Sequence, residues 1–109
     1  MSGISQETLM EAVDRIVRQF DPVRIVIFGS QARGDAGPRS DLDILVVCPF
    51  EGSRRKLMVA MDRALAGLAV ARDVIVVTPD EYETWGEIPG NVVRPAKREG
   101  RVVYERRAA

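Results

Sequence analysis

The chain has 109 residues and equal numbers of acidic and basic side chains, giving a formal net charge of zero. That size suits one domain, residues 1–109, and the charge balance argues against the basic field that long nucleic-acid tracts or an anionic membrane would call for. One cysteine and no histidine exclude an intrachain disulfide framework, Ser–His and Cys–His nucleophile pairs and the commonest zinc ligand.

The first twenty residues contain acidic side chains and no long apolar run. Neither a secretory signal nor a membrane span is expected, and the cytoplasm is the default location. Ser5 is placed to cap a helix running to about Phe20, with Leu9, Ala12, Val13, Ile16 and Phe20 at helical spacing. Asp21-Pro22 stops it. "VRIVIF", 23 to 28, reads as a buried strand ended by Gly29-Ser30. "QARG" suits one helical turn, and "DAGPRS" a loop. "DLDILVVC", 41 to 48, is the second strand. Ser53 opens a helix to about Ala69, with Leu57, Met61, Leu65 and Leu68 as its core stripe. "RDVIVVT", 72 to 78, is the third strand, and Pro79 starts a short acidic helix through about Trp85. A helix from Val92 to Glu99, closed by Gly100, and a short strand "RVVYE" finish the chain. The order predicts an α/β fold, with helices packed on one small sheet.

The second strand carries two aspartates, Asp41 and Asp43, at the head of an otherwise apolar run. Side chains alternate faces along a strand, so the two project the same way, about 6–7 Å apart, while Leu42 and Ile44 enter the core. Two carboxylates that close repel unless solvent, a proton or a cation intervenes. An exposed strand end explains most such pairs, but the expected topology adds to this one. The link from Gly29 to Asp41 suits an antiparallel pair, and the helical crossover from 53 to 69 suits a parallel one. The third strand then starts at the edge where the second starts, and brings Asp73 with it. Three carboxylates and a Gly-Ser turn at one sheet edge suit a site for magnesium and phosphate. Magnesium takes hard oxygen ligands, often from carboxylates and substrate phosphates together. The Gly29 backbone can approach a phosphate closely, the turn beginning at Ser30 can offer free N–H groups, and Arg33 can neutralise phosphate charge.

Other motifs fail. Gly29 and Gly34 have the spacing of a Walker A loop, but Asp35 and Ala36 stand where Lys and Ser/Thr are required. No G-x-G-x-x-G is present, "DLDILVV" lacks the later ligands of an EF-hand loop, and Ser30 has neither a histidine base nor a G-x-S-x-G frame.

"GSQARGDAGPRSDLDILVV" resembles the G-S-x-A-x-G…S-D-x-D signature of the DNA polymerase β nucleotidyltransferase superfamily, and in particular its minimal nucleotidyltransferases. "RDVIVV" is similar to the family's third acidic strand, and "EGRVVY" to its ending. The resemblance implies a polymerase β-like fold with a mixed sheet. Asp41, Asp43 and Asp73 would hold two Mg²⁺, with Asp73 helping to deprotonate an acceptor hydroxyl. Gly29 and Ser30 would hold the β- and γ-phosphates of a nucleoside triphosphate, most simply ATP. It further implies pairing with a HEPN-domain toxin, whose tyrosine receives AMP, so that the chain acts as an antitoxin. The alternative is a non-catalytic antitoxin that neutralises its partner by occlusion. Transfer to RNA or a small molecule is a weaker reading, because no basic patch or second domain is evident.

The remaining notable residues have plainer readings. Arg39 and Arg72 flank the acidic cluster and suit structural ion pairs. Cys48, Met58 and Met61 suit the core. Tyr82 and Trp85 suit packing on the sheet more than a partner-binding patch, and Tyr104 reads as structural. "RRK" at 54–56 and "ERR" at 105–107 read as solvated surface.

Overall fold

The computed structural model describes residues 5–29 and 42–107. Ser30, Arg33, Arg39 and Asp41, with the expected "QARG" turn and "DAGPRS" loop, lie outside the described residues. The elements are α1 (Gln6–Phe20), β1 (Arg24–Phe28), β2 (Leu42–Val47), α2 (Arg54–Ala64), β3 (Arg72–Val77), α3 (Pro79–Trp85), α4 (Val93–Glu99) and β4 (Arg101–Glu105).

α1 begins as the sequence indicates. Ser5 Oγ accepts the Thr8 N–H at 3.2 Å, satisfying one of the donors that a helix start leaves without a partner. It ends at Asp21 in the left-handed region, whose N–H reaches Val17 O at 3.0 Å, and Pro22 follows. α2 is shorter than its hydrophobic stripe suggests. It ends at Ala64 rather than near Ala69, because the Leu65 and Ala66 N–H groups fall back to the Asp62 and Arg63 carbonyls. Arg15 of α1 stabilises that ending by donating to the Ala64 and Ala66 carbonyls at 3.3 and 2.9 Å. α3 opens with a full capping box. Thr78 Oγ1 accepts from the Glu81 N–H, Glu81 Oε1 accepts from the Thr78 N–H, and Pro79 fills the first turn. α4 has no cap from Val92; instead Asn91 Oδ1 accepts the Val93 N–H at 2.9 Å.

The sheet runs β3-β2-β1-β4. β1 is antiparallel to both β2 and β4, and β2 is parallel to β3. This is the predicted mixed sheet. The physical reason is chain reach: a direct link returns antiparallel, whereas α2 carries the chain the length of the sheet before β3 starts.

Strand alternation sorts the core into two layers. On one face Ile25, Ile27, Leu42, Ile44, Val46, Val74 and Val76 meet Leu9, Ala12, Val13 and Ile16 of α1 and Met61 and Leu65 at α2. On the other, Val26, Leu45, Val47 and Val77 meet Tyr82, Val93 and Ala96, with Trp85 alongside. Cys48 is buried beyond β2, and desolvation pushes its thiol up from the ordinary range. Tyr104 packs half-buried against the first layer.

Two clusters that read as surface in the sequence are built into the fold. Arg54 pairs with Glu81 at 2.5 Å and lies over the rings of Phe50 and Trp85, at 5.4 and 5.0 Å from their centroids. In the tail, Glu105 pairs with Arg24 at 2.7 Å and Arg106 with Asp21 at 3.2 Å. Arg24 also lies 5.3 Å from the Tyr82 centroid. Thus "RRK" and "ERR" are exposed as expected, apart from half-buried Arg54, while Arg54, Glu105 and Arg106 also tie separate elements together.

Candidate active site

Alternation puts Asp43 on the face that carries Leu45 and Val47, and Asp73 on the face that carries Ile75 and Val77, so the two share one side of the sheet. They are also register partners across the parallel β2–β3 pair, which sets their backbones roughly 4.8 Å apart. Asp43 is half-buried and Asp73 exposed, beside half-buried Phe28 and Ile75. On this side Tyr82 of α3 lies toward the Val47 end, beside Arg24, the register partner of Val47.

The third component is Gly29. Phe28 is the register partner of Asp43 on β1, so the next residue turns away directly beside the Asp43 carboxylate. Gly29 has φ +74°, and a Cβ placed there would collide with Asp43 Oδ2. Glycine is required twice over, for the left-handed backbone and for the close approach.

Gly29, Asp43 and Asp73, taken from three strands in the sequence, therefore meet at one edge. Asp41 and Ser30 adjoin this group in sequence but, with Arg33, lie outside the described residues. Among the described residues no group of three His, Cys, Asp or Glu side chains is close enough to cage a metal. The pair Asp43 and Asp73 nevertheless fits a hard divalent cation by donor chemistry, since both offer oxygen ligands only.

Arg72 does not turn to the carboxylates. Its Nε donates to Asp62 Oδ1 at 2.9 Å and Nη2 to Asp62 O at 2.9 Å, so it locks the end of α2 to the start of β3. The ion-pair role expected from sequence is correct, but its partner is Asp62. A carboxylate ten positions upstream on a helix gives no local sign of that pairing. Phe28, opposite Asp43, read only as core; its place beside the carboxylate follows from strand register, which the antiparallel return could have signalled.

A small mixed sheet, flanked by helices and bearing paired carboxylates where two strands begin, places the chain in the α/β class. The chain belongs to the nucleotidyltransferase domain family, which matches residues 9–103. Among solved structures it is similar to a Sulfolobus solfataricus protein assigned as a nucleotidyltransferase, with 26% identity and a TM-score of 0.65. The match covers 92% of this chain and 79% of that one. No curated protein matches the chain.

Proposed function

We propose that the chain is a Mg²⁺-dependent nucleotidyltransferase that moves AMP from ATP to a hydroxyl on a partner protein. The partner in this reading is a HEPN-domain toxin, its acceptor a tyrosine, and the chain its antitoxin. The observation that supports it most is the side-by-side placement of Asp43 and Asp73, with Gly29 against the Asp43 carboxylate.

In this mechanism Asp41, Asp43 and Asp73 would hold two magnesium ions, which would supply charge neutralisation to the triphosphate and acidity to the acceptor hydroxyl. Gly29 and Ser30 hold the β- and γ-phosphates through backbone and hydroxyl donors, and Arg33 adds a charge-assisted contact. Asp73, exposed on β3, takes the acceptor proton. The acceptor oxygen bonds to the α-phosphorus as the bond to the β-phosphate bridging oxygen breaks. AMP stays on the acceptor and pyrophosphate leaves. In this reading the acceptor hydroxyl is presented by the partner.

The test is transfer of label from α-labelled ATP, with Mg²⁺, to a HEPN-domain partner protein. Asp43→Asn should lower the rate by about 10²-fold or more, as loss of a metal ligand does. Equal labelling by the variant would refute the role given to Asp43. Neutralisation of the toxin by Asp43→Asn protein at unchanged stoichiometry would favour occlusion without catalysis.

A further inference from the structure

The edge strand β3 borders the candidate site, and its outer side carries further information. Leu42 N–H donates to Ala71 O and Cys48 N–H to Val77 O, each bracketing the β2–β3 pair. In a parallel ladder alternate residues serve one neighbour. Asp73, Ile75 and Val77 therefore turn their backbone groups to β2, while Arg72, Val74 and Val76 turn theirs outward. Among the described residues no strand pairs with that side.

The two sheet edges differ. β4 has a register break opposite Ile25/Val26 and charged residues at both ends, Arg101 and Glu105, devices that discourage strand addition. β3 keeps unbroken register over six residues, and its one cationic side chain, Arg72, is folded back onto Asp62.

Beside this edge runs a groove of about 320 Å³ whose walls include Arg55, Met58, Val59, Arg63, Asp73 and Val74. It begins at the exposed carboxylate of Asp73 and continues along the solvent side of α2. Arg55, Lys56 and Arg63 are exposed there, and Val59 is 43% exposed. The carboxylate of Asp62 is already engaged by Arg72. The uncommitted charge of the α2 wall is thus positive, around an aliphatic centre.

We propose that the outer edge of β3 and the α2 groove dock the acceptor itself, as an extended acidic segment of a partner protein that adds to the sheet as a strand. This rests on the function proposed above and specifies its acceptor. Alternate side chains of an added strand point to opposite faces. One set lies on the Asp43–Asp73 face, where a hydroxyl can be presented. The other lies over α2, where carboxylates meet Arg55 and Arg63 and an apolar residue meets Val59. A nucleic acid fits less well, because the described walls of the groove offer no aromatic ring for base stacking.

The probe is a glutamate–tyrosine random copolymer, with lysine–tyrosine copolymer and oligo(U) as controls. Binding is read by anisotropy without ATP or Mg²⁺, and amide exchange is followed by NMR. Wild type should bind the acidic copolymer and gain protection at the Val74 and Val76 amides. The double variant R55E/R63E should bind about tenfold or more weakly, and R55K/R63K should bind like wild type. Unchanged binding by R55E/R63E, protection on β4 instead of β3, preference for oligo(U), or no binding would each overturn the proposal. Docking in this assay together with a lack of transfer in the presence of ATP would overturn the enzymatic reading alone.

Discussion

Gly29 shows how one residue can hold a site together. Its φ of +74° and the collision of any added Cβ with Asp43 Oδ2 make Gly29→Ala a double fault. A left-handed alanine costs about 1–2 kcal/mol, and the Asp43 carboxylate must move as well. Denaturant unfolding should show that loss, and nucleotide transfer should fall further than stability alone explains. Wild-type stability and transfer in Gly29→Ala would show that the close approach is unimportant. Cys48 gives a simpler expectation. Burial holds its thiol above the ordinary range, so the thiolate is scarce. Labelling by iodoacetamide near pH 8 should be slow in the folded protein and fast in urea.

At the level of elements, the C-terminal helix and strand are joined at a position where only glycine fits. Gly100 has ordinary extended backbone, with φ −73° and ψ 166°, but a Cβ there would strike Ala96 O and Val26 Cγ1. Gly100→Ala should therefore destabilise by about 1–3 kcal/mol through overpacking alone, measured as a shift in the urea midpoint. α3 supplies a pH dependence. Burial raises the Glu81 carboxyl, but the Thr78 N–H and the Arg54 guanidinium outweigh it and hold the group below its usual value of 4.5. A lowered folded pKa gives stability that is complete above the unfolded value and is lost as pH falls through the folded one. Thermal midpoints of wild type and Glu81→Gln should differ near neutral pH and converge below about pH 4.5. A constant gap would mean the charge of Glu81 contributes nothing.

Much of this was legible in the sequence. Asp73 could be placed beside Asp43 because alternation fixed their faces and the crossover fixed the direction of β3. The Ser5 cap, the Pro79 start and the Gly100 stop are local signals that tertiary contacts left intact. The stripe over 53–69 ran past the true end of α2, since Leu65 and Leu68 remain apolar contacts in the turn that follows. The ion pairs of Arg54 and Arg106 were not legible because their partners, Glu81 and Asp21, lie far away in sequence and meet them only through the fold.

For the whole molecule, zero net charge means little long-range steering, so the proposed recognition of nucleotide and partner is local. The described surface divides accordingly: carboxylates on the β2–β3 side, which we propose serve cation and phosphate, and arginines on α2, which we propose serve an anionic partner. The family assignment supports the chemistry of the first, and the β3 edge extends it to the second. The most direct test of the central claim is calorimetric titration of ATP with Mg²⁺ or with EDTA, on wild type and Asp73→Asn. ATP should bind only with Mg²⁺, and about tenfold or more weakly to the variant. Equal affinity in EDTA, or an unchanged affinity in Asp73→Asn, would contradict a metal-held nucleotide at this edge of the sheet.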